Sequence, residues 1–183
     1  MKTVNLKDLH HFVQNKGGNI MAIVIGYQGV GKSTMCRKHN DCIDLESSSF
    51  WFKDENNNPK RWENWADIYG NIAEHLSKQG NIVCIASHFV VRERLKNTNE
   101  KVIVVVPGLD IKDRWVKRLY YRYLDTAAEK DYKAWMNAGE KYQQDIKAMM
   151  DDAEKYGWKL VIIKLKDLDE DLFNRVCYAM EED

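Results

Sequence analysis

Nine consecutive residues, Gly26, Tyr27, Gln28, Gly29, Val30, Gly31, Lys32, Ser33 and Thr34, fill every fixed place of the phosphate-binding loop pattern G-x-x-x-x-G-K-[ST]. The residue types account for the chemistry. Glycines let the backbone curl around an oxyanion with its N–H groups turned inward. A helix starting at the end of the loop adds the positive end of its dipole. The Lys32 ammonium can then reach the β- and γ-phosphates, and the Ser33 hydroxyl can ligate Mg²⁺. The expected ligand is a nucleoside triphosphate with Mg²⁺.

Two further groups carry charge in a useful pattern. Asp44 and Glu46 stand two apart at the end of the apolar run Cys42-Ile-Asp-Leu45. On a strand such residues share a face, so both can point into a cleft at the strand carboxyl ends. The alternative is a cap for the segment 46–49. Arg114, Arg118 and Arg122 are spaced four apart, so they line one helical face. Like charges in a row repel unless an anion neutralises them. The alternative is a solvated face balanced by Asp110, Asp113, Asp125 and Glu129.

Between residues 47 and 62 lies a polar loop with a turn at Asn56-Asn-Asn-Pro59. Phe50, Trp51 and Phe52 offer rings on which a base can stack, and Lys60 or Arg61 can meet a phosphate. Three consecutive aromatics cannot all face one way, so at least one belongs to the core. His88 follows an apolar strand, as a neighbour of the γ-phosphate or as a hydrogen-bonded structural residue. Arg92 and Arg94 sit on different faces, so at most one points inward. Trp65 and Tyr69 lie on an apolar stripe and read as core.

The elements that must hold these groups alternate along the chain. Apolar strands are expected over 20–25, 42–45, 82–86, 101–106 and 159–164. Helices are expected over 32–38, 62–79, from 88 to about 96, and over 110–124, 129–156 and 168–181. A short amphipathic helix over 5–16 stops at Gly17-Gly18, which makes residues 1–19 an N-terminal helical extension of one domain spanning 20–183. Strands alternating with helices imply an α/β fold with a parallel sheet covered on both faces.

Composition narrows the field. The 183 residues suffice for one well-packed domain. Twenty-eight basic and 28 acidic residues cancel, which argues against a broad nucleic-acid-binding surface. The four cysteines show no zinc spacing and read as free thiols of a reduced, cytoplasmic protein. No apolar run approaches the roughly 18 residues of a membrane span.

Four stretches, GYQGVGKST, IDLESSSFW, IVCIASHFVVRERL and KDRWVKRLYYRY, together resemble a nucleoside or deoxynucleoside monophosphate kinase of the compact type found in bacteriophage genomes. The resemblance covers about residues 20 to 182. It implies a three-layer P-loop NTPase fold with a five-stranded parallel sheet of order 2-3-1-4-5. It also implies ATP- and Mg²⁺-dependent phosphoryl transfer to a small nucleotide acceptor in the cytoplasm, the host's if phage-encoded. Carried over residue by residue, Lys32, Asp44, Arg118 and Arg122 are catalytic, Ser33 and Asp44 hold metal, and the loop with Arg114 holds ATP. Glu46, Phe50, Trp51, Arg61, His88 and Arg92 then bind the acceptor, under a lid at about 108–126. The chain departs from the family at Glu46, where Asp is usual, and in the long 129–156 segment. That helix is expected mainly to pack, or else to shape the acceptor pocket or a homodimer interface. The competing functions are a polynucleotide 5′-hydroxyl kinase and a regulatory protein that senses ATP without turning it over.

Overall fold

A computed structural model of the chain describes residues 21–168 and 170–181. The helical extension expected over 1–19 lies outside them. Strand β1 (Ala22–Gly26) is buried at all five positions, as its unbroken apolar run requires of a strand covered on both faces. The phosphate-loop residues lead from it into helix α1 (Lys32–Lys38), and β2 (Cys42–Asp44) follows.

The next segment departs from the expected loop. After a 3₁₀ turn at Ser47–Phe50, β3 (Trp51–Lys53) and β4 (Pro59–Arg61) pair as an antiparallel hairpin, with Trp51 opposite Arg61 and Phe52 opposite Lys60. Local chemistry explains it. The Asp54 carboxylate accepts from the backbone N–H groups of Asn56 and Asn58, at 3.0 and 2.9 Å, and pairs with Lys60 at 3.0 Å. Asn57 takes the left-handed conformation, φ 62°, which asparagine tolerates better than most residues. The segment looked polar, but its polar residues make the turn and its aromatics make the strands.

Helix α2 (Trp65–Lys78), β5 (Ile82–Ala86), α3 (Phe89–Leu95), β6 (Val102–Pro107), α4 (Lys112–Thr126), α5 (Glu129–Tyr156), β7 (Lys159–Ile163) and α6 (Leu172–Glu181) complete the described chain. The five longer-range strands form one parallel sheet with helices on both sides, in the order β2-β5-β1-β6-β7. Because the hairpin takes the third and fourth numbers, this order reads differently from 2-3-1-4-5. Leaving the hairpin out of the count restores that order.

The sheet centre is apolar throughout, with Ile23, Ile25, Val83, Ile85, Ile103 and Val105 at 0–1 % exposure. Helix α5 buries Ala134, Ala138, Tyr142, Ile146, Met149 and Ala153. This spacing of three and four makes one stripe, and its alanines let the helix lie close to the sheet. Gly157, at φ 67°, closes it in the left-handed cap that glycine favours. The long helix is therefore a packing element, as its stripe predicts.

Candidate functional site

The phosphate loop is braced from outside by the two longest helices. Gly29 has φ +85°, and a Cβ there would sit 2.8 Å from the Leu119 side chain of α4, so only glycine fits on both counts. At Gly26 a Cβ would meet Val30 at 2.7 Å and the Lys32 stem at 2.9 Å. The Trp115 indole, 1 % exposed, donates to the Gln28 carbonyl at 3.0 Å. The Gln28 side chain in turn donates to the Ala134 carbonyl of α5 at 2.8 Å. Buried Tyr27 meets Tyr142 edge-on at 5.9 Å, and the Tyr142 hydroxyl donates to the Gly108 carbonyl at 2.8 Å. Burial pushes the Tyr27 hydroxyl pKa up to about 12, so it stays protonated. The variable positions of the loop are thus its anchors.

Lys32 bends across the loop mouth and donates to the Gly26 carbonyl at 2.6 Å and the Tyr27 carbonyl at 3.3 Å. Burial holds its pKa below the usual lysine value. Cys84, Asp44 and Glu46 oppose that shift, and Arg122 adds to it. These groups, distant in sequence, therefore all bear on the charge of Lys32. Ser33 and Thr34, next along α1, are exposed.

The acidic pair is held by a residue that reads from sequence as plain core. Tyr69, fully buried, donates its hydroxyl hydrogen bond to the Leu45 carbonyl and accepts one from the Ala86 N–H at 3.0 Å. It ties the ends of β2 and β5 together, with Asp44 and Glu46 on one side and Ser87 and His88 on the other. Tyr69→Phe leaves the Leu45 and Ala86 groups unpaired, so it is expected to cost about 1–3 kcal/mol in stability. It should also lower activity, since the strand ends lose their tie. Urea unfolding of the variant is the check, and an unchanged midpoint would refute the role.

Arg61, at the end of the hairpin, lies between two indoles. Its guanidinium carbon is 3.7 Å from the Trp65 ring centroid and 4.8 Å from that of Trp51. One Nη is 3.2 Å from His88 Nε2, and the other is buried without a hydrogen-bond partner. Among the described residues no carboxylate pairs with it. Ser47 Oγ also reaches His88 Nε2, at 3.2 Å, and Trp65 meets the imidazole edge-on at 5.3 Å. Trp51 is 47 % exposed and free to stack, whereas Phe50 is buried against Tyr69 at 5.5 Å. Phe50 is therefore the core member of the aromatic triplet.

Although the outer side of His88 is open, burial of its ring and the cations Arg61, Arg92 and Lys32 bring its pKa down to about 4. The folded state therefore holds it neutral, while the unfolded chain protonates near the ordinary value of 6.5. Its contribution to stability is complete above pH 6.5 and is lost as pH falls towards 4. His88→Gln is expected to flatten the melting-temperature profile between those limits. Profiles that stay parallel for wild type and variant would exclude this.

Arg92 is the inward-facing member of its pair, 5 % exposed, but its partners are structural. It donates to Asp152 of α5 at 2.6 Å and to the Ser87 carbonyl. It thus steadies the His88 turn instead of presenting a free cation, and Arg94 pairs with Glu74 and Asp67. The arginines of α4 also divide. Arg114 is exposed. Arg118 donates to the Leu168 carbonyl at 3.1 Å and lines a cavity of about 320 Å³. That cavity lies between Gly31, Thr34 and Trp115 on one side and Ile163, Asp171 and Leu172 on the other. Nothing in the sequence marks its far wall. Arg122 pairs at 2.8 Å with Asp131, which also accepts from Thr126 at 2.6 Å, and its buried Nε has no partner. Glu46 meets Lys130, the second residue of α5, at 3.7 Å. Helix α4 is thus held against the loop by Trp115 and Leu119, and the start of α5 reaches Glu46.

Comparison with known protein families finds none that matches the chain, and no curated protein sequence matches it. The fold and the site therefore carry the functional argument. Among the described residues no helix is long and apolar enough to cross a membrane, and no three His, Cys, Asp or Glu side chains gather as metal ligands.

Proposed function

We propose that the protein transfers the γ-phosphoryl group of ATP to a (deoxy)nucleoside monophosphate. The observation that carries this reading is Arg61. A guanidinium between two indoles, with a buried N–H left over and no carboxylate, suits an anionic acceptor beside a ring that can stack on Trp51. A separate cavity of about 320 Å³, lined by Gly31, Thr34 and Arg118 among others, has the volume for the donor nucleoside. Lys32, beside Gly31 at the start of α1, and Arg122, whose charge acts on it, would meet the charge that builds on the transferring phosphoryl group.

The donor set also fits Mg²⁺. That ion takes hard oxygen ligands and needs only one or two from protein when phosphates and waters supply the rest. Ser33 and Asp44 would hold it. It would supply neutralisation of the developing charge on the phosphate oxygens. Each protein group then has its own task. Lys32 and the loop amides position the donor phosphates, Arg122 compensates charge on the group in flight, and Arg61 with Glu46 orients the acceptor. Tethering α4 against the loop keeps water from the transfer.

The test is release of ADP with a panel of mononucleotides, nucleosides, sugars and 5′-hydroxyl oligonucleotides. Turnover is expected with mononucleotides. Arg61→Ala should raise the acceptor KM at least roughly tenfold and leave the ATP KM unchanged. Turnover with oligonucleotides alone would favour the polynucleotide kinase reading, and ATP binding without turnover would favour a sensor.

A further inference from the structure

We propose that Asp152 of α5 is a positioning residue for the acceptor side of the site, acting through Arg92 on the turn that presents His88 to Arg61. The acceptor role rests on the phosphoryl-transfer reading above, whereas the chain of contacts stands on its own geometry. Arg92 is buried on α3, and its Nε donates to the Asp152 carboxylate at 2.6 Å. Its Nη1 donates to the Ser87 carbonyl, in the turn between β5 and α3. The same turn is closed by the His88 carbonyl, which accepts from the N–H groups of Val91 and Arg92 at 3.1 Å each. The His88 imidazole then meets Arg61, with 3.2 Å between Nε2 and one Nη. A guanidinium only donates, so Nε2 of the neutral ring accepts and the proton sits on Nδ1. This bond fixes one edge of the Arg61 fork and leaves the buried, unpartnered Nη for an anionic acceptor.

The pair suits positioning better than stabilisation. Desolvation of two buried charges offsets most of their attraction, so such a pair contributes strict geometry more than net stability. Arg92 can bond both Asp152 and Ser87 because its nitrogens are set in a planar fork. Asp152 also belongs to a rigid element with a second duty. About five turns earlier, roughly 27 Å along α5, the Ala134 carbonyl holds the Gln28 side chain of the phosphate loop. One helix thereby fixes the spacing between that loop and the His88 turn, the two sides that phosphoryl transfer must bring into line. A separate bond secures the same pair of helices, since the Tyr156 hydroxyl, one turn beyond Asp152, donates to Glu93. Among the described residues neither of those side chains bonds to the His88 turn, which makes Tyr156 a control.

The experiment compares wild type, Arg92→Lys, Asp152→Asn and Tyr156→Phe by steady-state kinetics, with ATP and the mononucleotide that the wild type turns over fastest. In parallel the His88 imidazole signal is followed by NMR, assigned through its loss in His88→Gln. Lysine keeps a charge beside Asp152, but its single nitrogen cannot span both Asp152 and Ser87. Arg92→Lys is therefore expected to raise the acceptor KM roughly tenfold, leave the ATP KM unchanged and move the His88 signal. Asp152→Asn should act in the same direction, and it makes the same test should Arg92→Lys fold poorly. Tyr156→Phe should lower the melting temperature while acceptor KM and His88 signal stay as in the wild type. A lowered melting temperature in Arg92→Lys, with wild-type acceptor KM and an unmoved signal, would make the pair merely structural and overturn the proposal. Equal changes in Tyr156→Phe would overturn it too, since general loosening would explain both variants. A moved signal with unchanged acceptor KM would overturn the acceptor role. A wild type that turns over no mononucleotide would defeat the phosphoryl-transfer reading, while the His88 signal would still judge the linkage.

Discussion

Lys32→Ala is expected to lower turnover by roughly 10³-fold, the upper range for removing one preorganised electrostatic stabiliser, and to leave the fold as stable as before. The structure explains why the two effects separate. Among the described residues the Lys32 ammonium bonds to the Gly26 and Tyr27 carbonyls alone, and burial disfavours its charge. A cation held in such a place contributes little to folding, and its removal relieves a desolvation cost. Steady-state kinetics beside a thermal melt is the check. Full turnover in a folded variant would remove the basis for a kinase. A collapse of the melting temperature would make Lys32 a structural residue.

Asp44→Asn should cost on the order of 10²-fold or more in rate, within the range for a positioned acid or base group. Phosphoryl transfer through a loose transition state asks little proton abstraction of this carboxylate. Its effect comes from orienting metal-bound water or the attacking oxygen. Asparagine keeps the shape and removes the charge. Among the described residues Asp44 makes no ion pair or side-chain hydrogen bond that the change would break, and the 3₁₀ turn that follows has Glu46 as its N-cap with no side-chain capping bond. A capping role for the acidic pair therefore finds no support in the geometry. Glu46→Gln is expected to act on the acceptor KM more than on ATP binding. Among the described residues its only ion pair is the loose, exposed one to Lys130 at 3.7 Å, of a kind worth little by itself. Full activity in Asp44→Asn with a lowered melting temperature would end the strand-two argument.

Both predictions concern residues visible in the sequence, and that is not accidental. A phosphate loop is contiguous. Glycine placement, the preceding β-branched run and the following helix sit within about a dozen positions, and local conformational physics links them directly. Asp44 was similarly readable, because it ends an apolar strand. The hairpin was not. Its residues 51–61 are exposed or half-buried, so no burial pattern marks the strands, and the turn depends on the Asp54 carboxylate bonding back to Asn56 and Asn58.

By itself the sequence determined the layered α/β alternation, the loop that fits the phosphate-binding pattern, and the carboxylates and arginines placed near it. Only the tertiary structure decided which of them face it. Arg92 points inward, yet Asp152, 60 residues later, takes it up. Arg118 and Arg122 share one helical face and still divide, Arg118 lining the 320 Å³ cavity and Arg122 pairing with α5, because Leu168 holds one and Asp131 the other. Tyr69 looked like any core aromatic until its hydroxyl was found between Leu45 and Ala86. The physical reason is common to all three. Which partner a polar side chain finds depends on contacts that close only when distant segments pack, and no local periodicity records them.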